Sequence, residues 1–278
     1  MRSKLRSLLG LFAVLWPGPA AAATEFSSDK QAEAELFAVN NALSALYHEI
    51  GHLLIDQFEL PILTREEDAA DAIATLLLLE QGTDASTVVA FDAVDGYFMS
   101  AQLYGEALPE GADFSNQHGL DTQRAYQMAC LLVGGDPANF EGLAEDVALP
   151  PERMESCAAE YAMASRSWAK MTEGHRRGAA PTGPPVAIIY EAAASDMAPI
   201  ARVLQQHRVL EQVAATVTGQ FLLSPPATLR ALSCGEENAY YDIGTGEVTF
   251  CYEYAKFYYD LLIDPAAAGQ IWAEDEVP

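Results

Sequence analysis

Apolar residues in the first part of the chain recur at intervals of three and four positions. Between residues 30 and 58 they fall at Leu36, Val39, Leu43, Leu46, Ile50 and Leu53. This spacing has the period of an α-helix and therefore predicts one long amphipathic helix. The pair Leu60-Pro61 ends it, because proline cannot continue the helical hydrogen-bond pattern.

The same reasoning predicts further helices and a small sheet. Helices are expected over residues 64–80, 86–104, from 121 through the segment AYQMACLLV, and over 137–145, 151–171, 199–221 and 254–263. Strands are expected in the segment VAIIY and in a hairpin between Cys234 and Cys251. We therefore predict an α+β fold that is mainly α, with a small antiparallel sheet from the C-terminal half. A helical region over 24–171, a Gly- and Pro-rich loop over 172–185 and an α/β region over 186–278 are expected to form one structural unit.

Composition and charge indicate a folded chain and exclude some classes of binding partner. The 278 residues are 50% hydrophobic and 20% charged, with a formal net charge of -25. Such a chain is globular rather than disordered. Its acidic residues are spread along the sequence, so phosphate backbones and anionic lipid surfaces would be repelled. We expect no nucleic-acid partner.

Residues 1–23 have the order of a secretory signal peptide. Three basic residues precede an apolar run over 8–16, and a Pro-Gly break and four alanines follow it. The run is too short to cross a bilayer, which needs about 20 apolar residues, and cleavage is expected near Ala22 or Ala23. We therefore predict a bacterial protein that is exported to the periplasm or secreted, with no membrane span after cleavage.

Export would place the four cysteines in an oxidising compartment, where disulfides are expected. Cys234 and Cys251 flank the predicted hairpin and would pair across its base. That leaves Cys130 to pair with Cys157 between two predicted helices. A metal site built from cysteines would require close CxxC spacings, which the sequence lacks.

The segment His48-Glu49-Ile50-Gly51-His52 carries the candidate chemistry. Histidines four positions apart lie on one face of a helix and can offer two nitrogen ligands to one zinc ion. Glu49 lies about 100° further round the helix, where its carboxylate can take a proton from a water molecule beside the metal. Gly51 is costly inside a helix unless something packs closely there, and we expect a strand or the substrate in that place. The alternative, two solvated histidines on a helix surface, is weakened by the apolar stripe of the same helix.

A second acidic segment, REEDAAD, follows the turn. It places Glu67 fifteen residues beyond His52, and Asp71 one helical turn after Glu67. An HExxH motif followed by a helix bearing E-xxx-D resembles the gluzincin zinc peptidases, the clan that includes thermolysin. The resemblance implies a zinc ion bound by His48, His52 and Glu67. It also implies that Glu49 is the general base and that Asp71 hydrogen-bonds the free ring nitrogen of His48.

Other interpretations of this acidic segment remain open. Thr64 and Glu67 also fit a capping box, in which Glu67 would reach back to a backbone amide. Glu66 is the first substitute as a metal ligand, and Asp68 a more remote one. A capping box would not explain why Asp71 follows one turn later, nor why HExxH lies just upstream.

A closer resemblance covers most of the mature chain. Three segments carry it: LYHEIGHLLIDQFELPILTREEDAADAIATLLLLE, QHGLDTQRAYQMACLLVGGDP and CGEENAYYDIGTGEVTFCYE. They are similar to a family of exported bacterial proteins described only as "putative metallopeptidases", a domain of unknown function. The resemblance implies a zincin-like HExxH helix beside a ligand helix. The hairpin follows that helix in this chain, so the C-terminal half would have to fold back to supply a sheet edge for a peptide.

Gluzincin sites usually add a histidine or tyrosine that stabilises the oxyanion of the reaction. His118, in the segment SNQHGLD before a predicted helix, is our first candidate. The tyrosines near the hairpin are alternatives: Tyr240, Tyr241 and Tyr252. His175, in the loop, is expected to be solvated.

The sequence thus predicts a zinc-dependent metallopeptidase with one Zn²⁺ per chain and a peptide or protein substrate. Two other classes remain open: a non-catalytic metal-binding interaction protein of the cell envelope, and a zinc hydrolase of non-peptide amides or esters. Glu49 argues against the first, because a structural zinc site takes four protein ligands and needs no base. A pocket too narrow for an extended chain would favour the second.

Overall fold

The computed structural model describes residues 28–63, 65–103, 115–178 and 186–263. The predicted signal peptide, Thr64 and residues 179–185 of the predicted loop lie outside these residues. The division of the chain into regions is therefore still a prediction.

The N-terminal part is helical, as predicted, with bounds within two residues of those expected. Its helices are α1 (Ser28–Gln57), α2 (Glu66–Gln81), α3 (Asp84–Leu103), α4 (Asp121–Gly135), α5 (Pro137–Asp146) and α6 (Pro151–Thr172). Gly82 ends α2 in a left-handed conformation, with φ of 55°, which glycine adopts without steric cost.

The C-terminal part contains both helices and strands. They are β1 (Ala187–Tyr190), α7 (Ala198–Gln206), α8 (Val209–Gln220), β2 (Thr228–Leu232), β3 (Ala239–Asp242), β4 (Glu247–Cys251) and α9 (Tyr252–Ile263). The single long helix expected over 199–221 is wrong. Arg208 has a φ of 53°, a left-handed backbone that interrupts the helix and separates α7 from α8.

The four strands form one mixed sheet in the order β1-β2-β4-β3. The predicted hairpin is confirmed, since β3 runs antiparallel to β4. The wholly antiparallel sheet that we expected is not observed, because β1 pairs parallel to β2 and β2 pairs parallel to β4. In the sheet, β3 lies along one edge of β4. The other edge of β4 pairs with β2, a strand that was not predicted and that runs parallel to β4. The class, α+β and mainly helical with a small sheet, is confirmed.

Helix α1 lies at the centre of the molecule. It contacts α2 and α3 from the N-terminal part and α7, α8, α9, β3 and β4 from the C-terminal part. Leu46, Ile50, Leu53 and Leu54 are almost completely buried along it. The C-terminal half therefore does fold back against the helix that carries the HExxH motif.

Both predicted disulfides are present. Cys130–Cys157 joins α4 to α6, and Cys234–Cys251 closes the base of the hairpin. His175, expected to be solvated, instead stacks its ring on that of Phe58, with 4.0 Å between centroids. None of the described helices combines the length and the apolar character needed to span a bilayer.

The position of α2 depends on Gly51 in α1. A Cβ atom added to Gly51 would lie 2.9 Å from the Cα atom of Ala70 and 3.0 Å from its carbonyl oxygen. The expectation of a strand or substrate over Gly51 is therefore wrong, because the backbone of α2 occupies that place. This close approach brings the acidic residues of α2 within reach of the histidines of α1.

We predict that Gly51→Ala lowers the free energy of unfolding by about 1–3 kcal/mol, since the added methyl group must push two helix backbones apart. Gly142→Ala in α5 is the matched control, because nothing lies within 4 Å of its added Cβ. That variant should be neutral or more stable by up to about 1 kcal/mol. Denaturant unfolding of the two variants beside the wild type measures both values. Equal stability of Gly51→Ala and wild type would contradict the packing described here.

Candidate metal centre

The HExxH motif lies in the buried second half of α1. His48 and Glu49 are 5% and 7% exposed. After Gln57 the chain turns, and α2 begins at Glu66 and packs along the same face of α1. Two helices, adjacent in sequence and in contact at Gly51, therefore supply the candidate ligands His48, His52 and Glu67.

Three possible ligand atoms converge between α1 and α2. The Nε2 atoms of His48 and His52 are 3.2 Å apart, and they lie 3.1 and 3.2 Å from Oε2 of Glu67. Zinc bonds of about 2.0–2.1 Å in a tetrahedral arrangement place neighbouring ligand atoms about 3.3 Å apart. The three atoms thus have nearly the spacing that one such ion requires.

The other nitrogen of each imidazole is held by a carboxylate. Nδ1 of His48 lies 2.7 Å from Oδ1 of Asp71, and Nδ1 of His52 lies 2.8 Å from Oε1 of Glu66. A proton on each Nδ1 is donated to these acids, which directs the lone pair of each Nε2 toward the shared point. Glu66, our substitute ligand, instead lies behind His52.

The hydrogen-bonding capacity of these residues fits a metal ion. With both Nδ1 protons donated outward, two Nε2 lone pairs and one carboxylate oxygen of Glu67 face one another at hydrogen-bond distance. Such a cluster is unfavourable unless a proton or a metal cation lies between its members. Two imidazole nitrogens and one carboxylate oxygen form a donor set that suits a transition metal ion.

Burial and neighbouring groups shift the pKa values of His48 and Glu67. Burial lowers the pKa of His48, but hydrogen bonds to Asp71 and Glu67 outweigh it and raise the pKa to about 9. Burial also raises the pKa of Glu67, but hydrogen bonds from His118, His48 and His52 dominate and hold its pKa well below the usual range. The centre therefore attracts positive charge, as a metal site must.

The alternative capping box falls on Thr64, which lies outside the described residues. Oε2 of Glu67 lies 3.1 and 3.2 Å from the Nε2 atoms of His48 and His52, and no side-chain hydrogen bond caps α2 at Arg65. Asp68, the remote alternative ligand, pairs with the Arg65 guanidinium at 2.8 and 3.0 Å. Of the acids in this segment, Glu67 is the one that reaches both Nε2 atoms.

Glu49 lies beside this cluster with its carboxylate uncommitted. Among the described residues no hydrogen bond or ion pair engages it, although it lines the cleft. Burial raises the pKa of Glu49, and the neighbouring His48 and His52 oppose that shift. A carboxylate with a raised pKa can accept a proton and later release it, which is what a general base requires.

The structure also brings His118 to the centre. Its Nε2 atom lies 2.8 Å from Oε2 of Glu67, and its ring centroid is 5.7 Å from that of His48. Tyr240 and Tyr241 line the same cleft. Tyr252 is not part of it, because that side chain is fully buried and its hydroxyl donates to the carbonyl of Glu191 at 2.9 Å.

Sequence reasoning missed one residue of this network. The Arg124 guanidinium in α4 donates from Nε to Oδ2 of Asp71 and from Nη2 to Oδ1, each at 2.8 Å. Burial raises the pKa of Asp71, but the adjacent Arg124 and His48 outweigh it and hold the pKa below its usual range. Arg124 is 53 residues from Asp71 in the chain, so no local spacing could have indicated the pair.

The cluster opens into a cleft of about 1070 Å³. Helices α1 and α2, the segment 115–121 and strand β3 line it, so the C-terminal half forms one wall. In the described sheet β3 is the last strand, with its second edge unpaired by any other described strand. A strand edge thus lies beside the candidate metal centre.

Comparison with known proteins identifies the chain at the level of a family. A family model described as "Putative metallopeptidase" matches residues 19–172 and 190–277, which is most of the chain. No curated protein and no solved structure matches it.

We predict that Glu67→Ala abolishes tight zinc binding, since it removes one of the three candidate ligand atoms. Glu66→Ala, the matched control in the neighbouring position, should keep one zinc per chain, weakened by about tenfold through the loss of the partner of His52. Competition against a chromophoric chelator measures both dissociation constants. If Glu66→Ala lost zinc and Glu67→Ala kept it, the ligand assignment would have to be exchanged.

Proposed function

The chain belongs to the family described as "Putative metallopeptidase", and we propose that it is a zinc-dependent peptidase of the gluzincin type. In this proposal His48, His52 and Glu67 hold one Zn²⁺ ion and Glu49 is the general base. The observation that carries the proposal is the convergence of the three candidate ligand atoms within 3.2 Å, beside the buried carboxylate of Glu49, which no other group among the described residues engages.

Each residue has a distinct task in the reaction. A bound zinc ion would supply Lewis acidity, lowering the pKa of a water molecule to about 7 and polarising the substrate carbonyl. Glu49 takes one proton from the attacking water molecule. As the C–N bond breaks, Glu49 passes that proton to the nitrogen of the leaving amine. Asp71 keeps His48 in the tautomer whose Nε2 lone pair faces the centre.

We assign stabilisation of the oxyanion to His118. Its Nε2 atom reaches the centre from the segment that precedes α4, 2.8 Å from Oε2 of Glu67, and an imidazole N–H in that place can donate a hydrogen bond to an oxyanion. Tyr241 also lines the cleft, but its hydroxyl is directed to Oδ2 of Asp56 at 2.7 Å, whereas Nε2 of His118 lies against Glu67 at the centre itself. The side chain of His118 is 42% exposed, so it can reach a substrate in the cleft.

The cleft supports a peptide or protein substrate. Its volume is large enough for several residues of an extended chain, and β3 presents a strand edge along one wall. Extended peptides commonly add to such an edge through backbone hydrogen bonds.

Two disulfides are typical of an oxidising compartment, which supports export to the periplasm or secretion.

We predict that Glu49→Gln retains one zinc per chain and the wild-type fold but loses about 100- to 10,000-fold in the rate of peptide hydrolysis, since glutamine cannot accept the proton. Glu33→Gln, an exposed position in the same helix, is the control and should keep full activity. Mass spectrometry of a degenerate peptide library incubated with each zinc-loaded protein measures the products. Undiminished cleavage by Glu49→Gln would place the base elsewhere. Zinc-loaded wild type that hydrolyses amide or ester probes but no peptide would contradict the peptidase assignment.

A further inference from the structure

The His48 ligand is connected to a buried arginine through a single carboxylate. Oδ1 of Asp71 accepts two hydrogen bonds, one from Nδ1 of His48 at 2.7 Å and one from Nη2 of Arg124 at 2.8 Å. Nε of Arg124 donates to the other oxygen, Oδ2, also at 2.8 Å. Two parallel hydrogen bonds from one planar guanidinium fix the plane of a carboxylate, which one hydrogen bond alone cannot do.

We propose that Arg124 is a positioning residue for the metal centre, acting on His48 through Asp71. The inference rests on the zinc site proposed above and adds to it a third link, outside both the HExxH helix and the ligand helix. In this account Arg124, which also lines the cleft, acts on the metal centre only through Asp71. It fixes the orientation of Asp71, and Asp71 fixes the direction in which the imidazole of His48 presents its Nε2 lone pair.

Arg124 is itself held from two further sides. Its Cζ atom lies 4.4 Å from the ring centroid of Tyr97, a cation-π contact from α3. Nη1 approaches Oδ1 of Asp121, one turn earlier in α4, at 3.5 Å, and Asp121 takes a hydrogen bond from Ser100 of α3 at 2.6 Å. The guanidinium is therefore fixed by α3 and α4 before it meets Asp71.

The burial of these groups makes the orientation effective. The side chains of His48, Asp71 and Arg124 are 6%, 18% and 15% exposed, so little water competes for their hydrogen bonds. Without Arg124, the buried carboxylate of Asp71 would keep, among the described side chains, only the imidazole of His48 as a hydrogen-bond partner and could rotate about its Cβ–Cγ bond. Carboxylates behind a metal-ligating histidine commonly change metal affinity by about 10- to 100-fold when they are disturbed.

If Arg124 had only a structural role, its substitution would have a different effect on stability and zinc affinity. An arginine that only joins α2 to α4 would lower the stability of the metal-free protein and leave zinc affinity unchanged. The chain offers a matched control for that case in Arg176. Its guanidinium makes a fork of two hydrogen bonds with Glu80, at 2.7 and 2.9 Å, and lies 4.7 Å from the ring of Phe221. Arg176 does not line the metal cleft.

The test compares zinc dissociation constants, by chelator competition, and the melting temperatures of the metal-free proteins. We expect Arg124→Met to weaken zinc binding by about 10- to 100-fold. Arg124→Lys, which keeps the charge but not the fork, should recover part of that loss. Arg176→Met should lower the melting temperature and leave the zinc dissociation constant within about twofold of wild type.

A double-mutant cycle shows whether Arg124 acts through Asp71. In the Asp71→Asn background, Arg124→Met should weaken zinc binding by no more than about twofold further, because the link is already cut. A further loss of about tenfold would show an independent action and overturn the inference. The same conclusion would follow if Arg124→Met, folded and less stable, bound zinc as tightly as wild type. Failure of the wild type itself to bind zinc would overturn the metal centre, and this inference with it.

Discussion

The contact between α1 and α2 at Gly51 is the constraint on which the candidate metal centre depends. The two histidines come from α1 and the carboxylate from α2, and their ligand atoms meet at 3.1–3.2 Å only because the helix backbones approach closely. A residue with a Cβ atom at position 51 would contact the backbone of Ala70. The glycine that lowers the intrinsic helix propensity of α1 is thus the residue that permits the site.

Around that contact, the acidic side chains differ in the atoms that they contact. Glu66 and Asp71 bind the outer nitrogens of the two imidazoles, and Glu67 faces the inner ones. Arg124 engages the more buried of the outer acids. Glu49, next to these ion pairs, remains uncommitted among the described residues, so one acid of the cluster is available for proton transfer.

Most of the local structure could be predicted from the sequence, because it depends on local periodicity. The steps of three and four along α1 and the cysteine-flanked turn between β3 and β4 led to the correct elements. The break at Arg208 could not be predicted, since a left-handed φ at a non-glycine residue has no signature in residue type. The parallel pairing of β2 with β4 was missed because β2 itself was not predicted and because β3 lies between the two strands in the sequence.

In the candidate site, too, features set by local spacing could be predicted and contacts between distant segments could not. The spacing of His48 and His52 indicated their common face, and the position of Glu67 came from resemblance to a known order of motifs. Arg124 lies on another helix, and its pairing with Asp71 depends on how α2 and α4 pack. Sequence spacing thus identifies candidate ligands that share one helix turn, whereas a contact such as that between Arg124 and Asp71 can be found only from the fold.

Metal content is the most direct measurement of the central claim. Elemental analysis of the purified mature protein, after exposure to micromolar zinc and removal of unbound metal, should find about one zinc per chain. Wild-type protein that neither carries nor takes up a metal ion would contradict the account. His48, His52 and Glu67 would then form a network of shared protons with no part in hydrolysis.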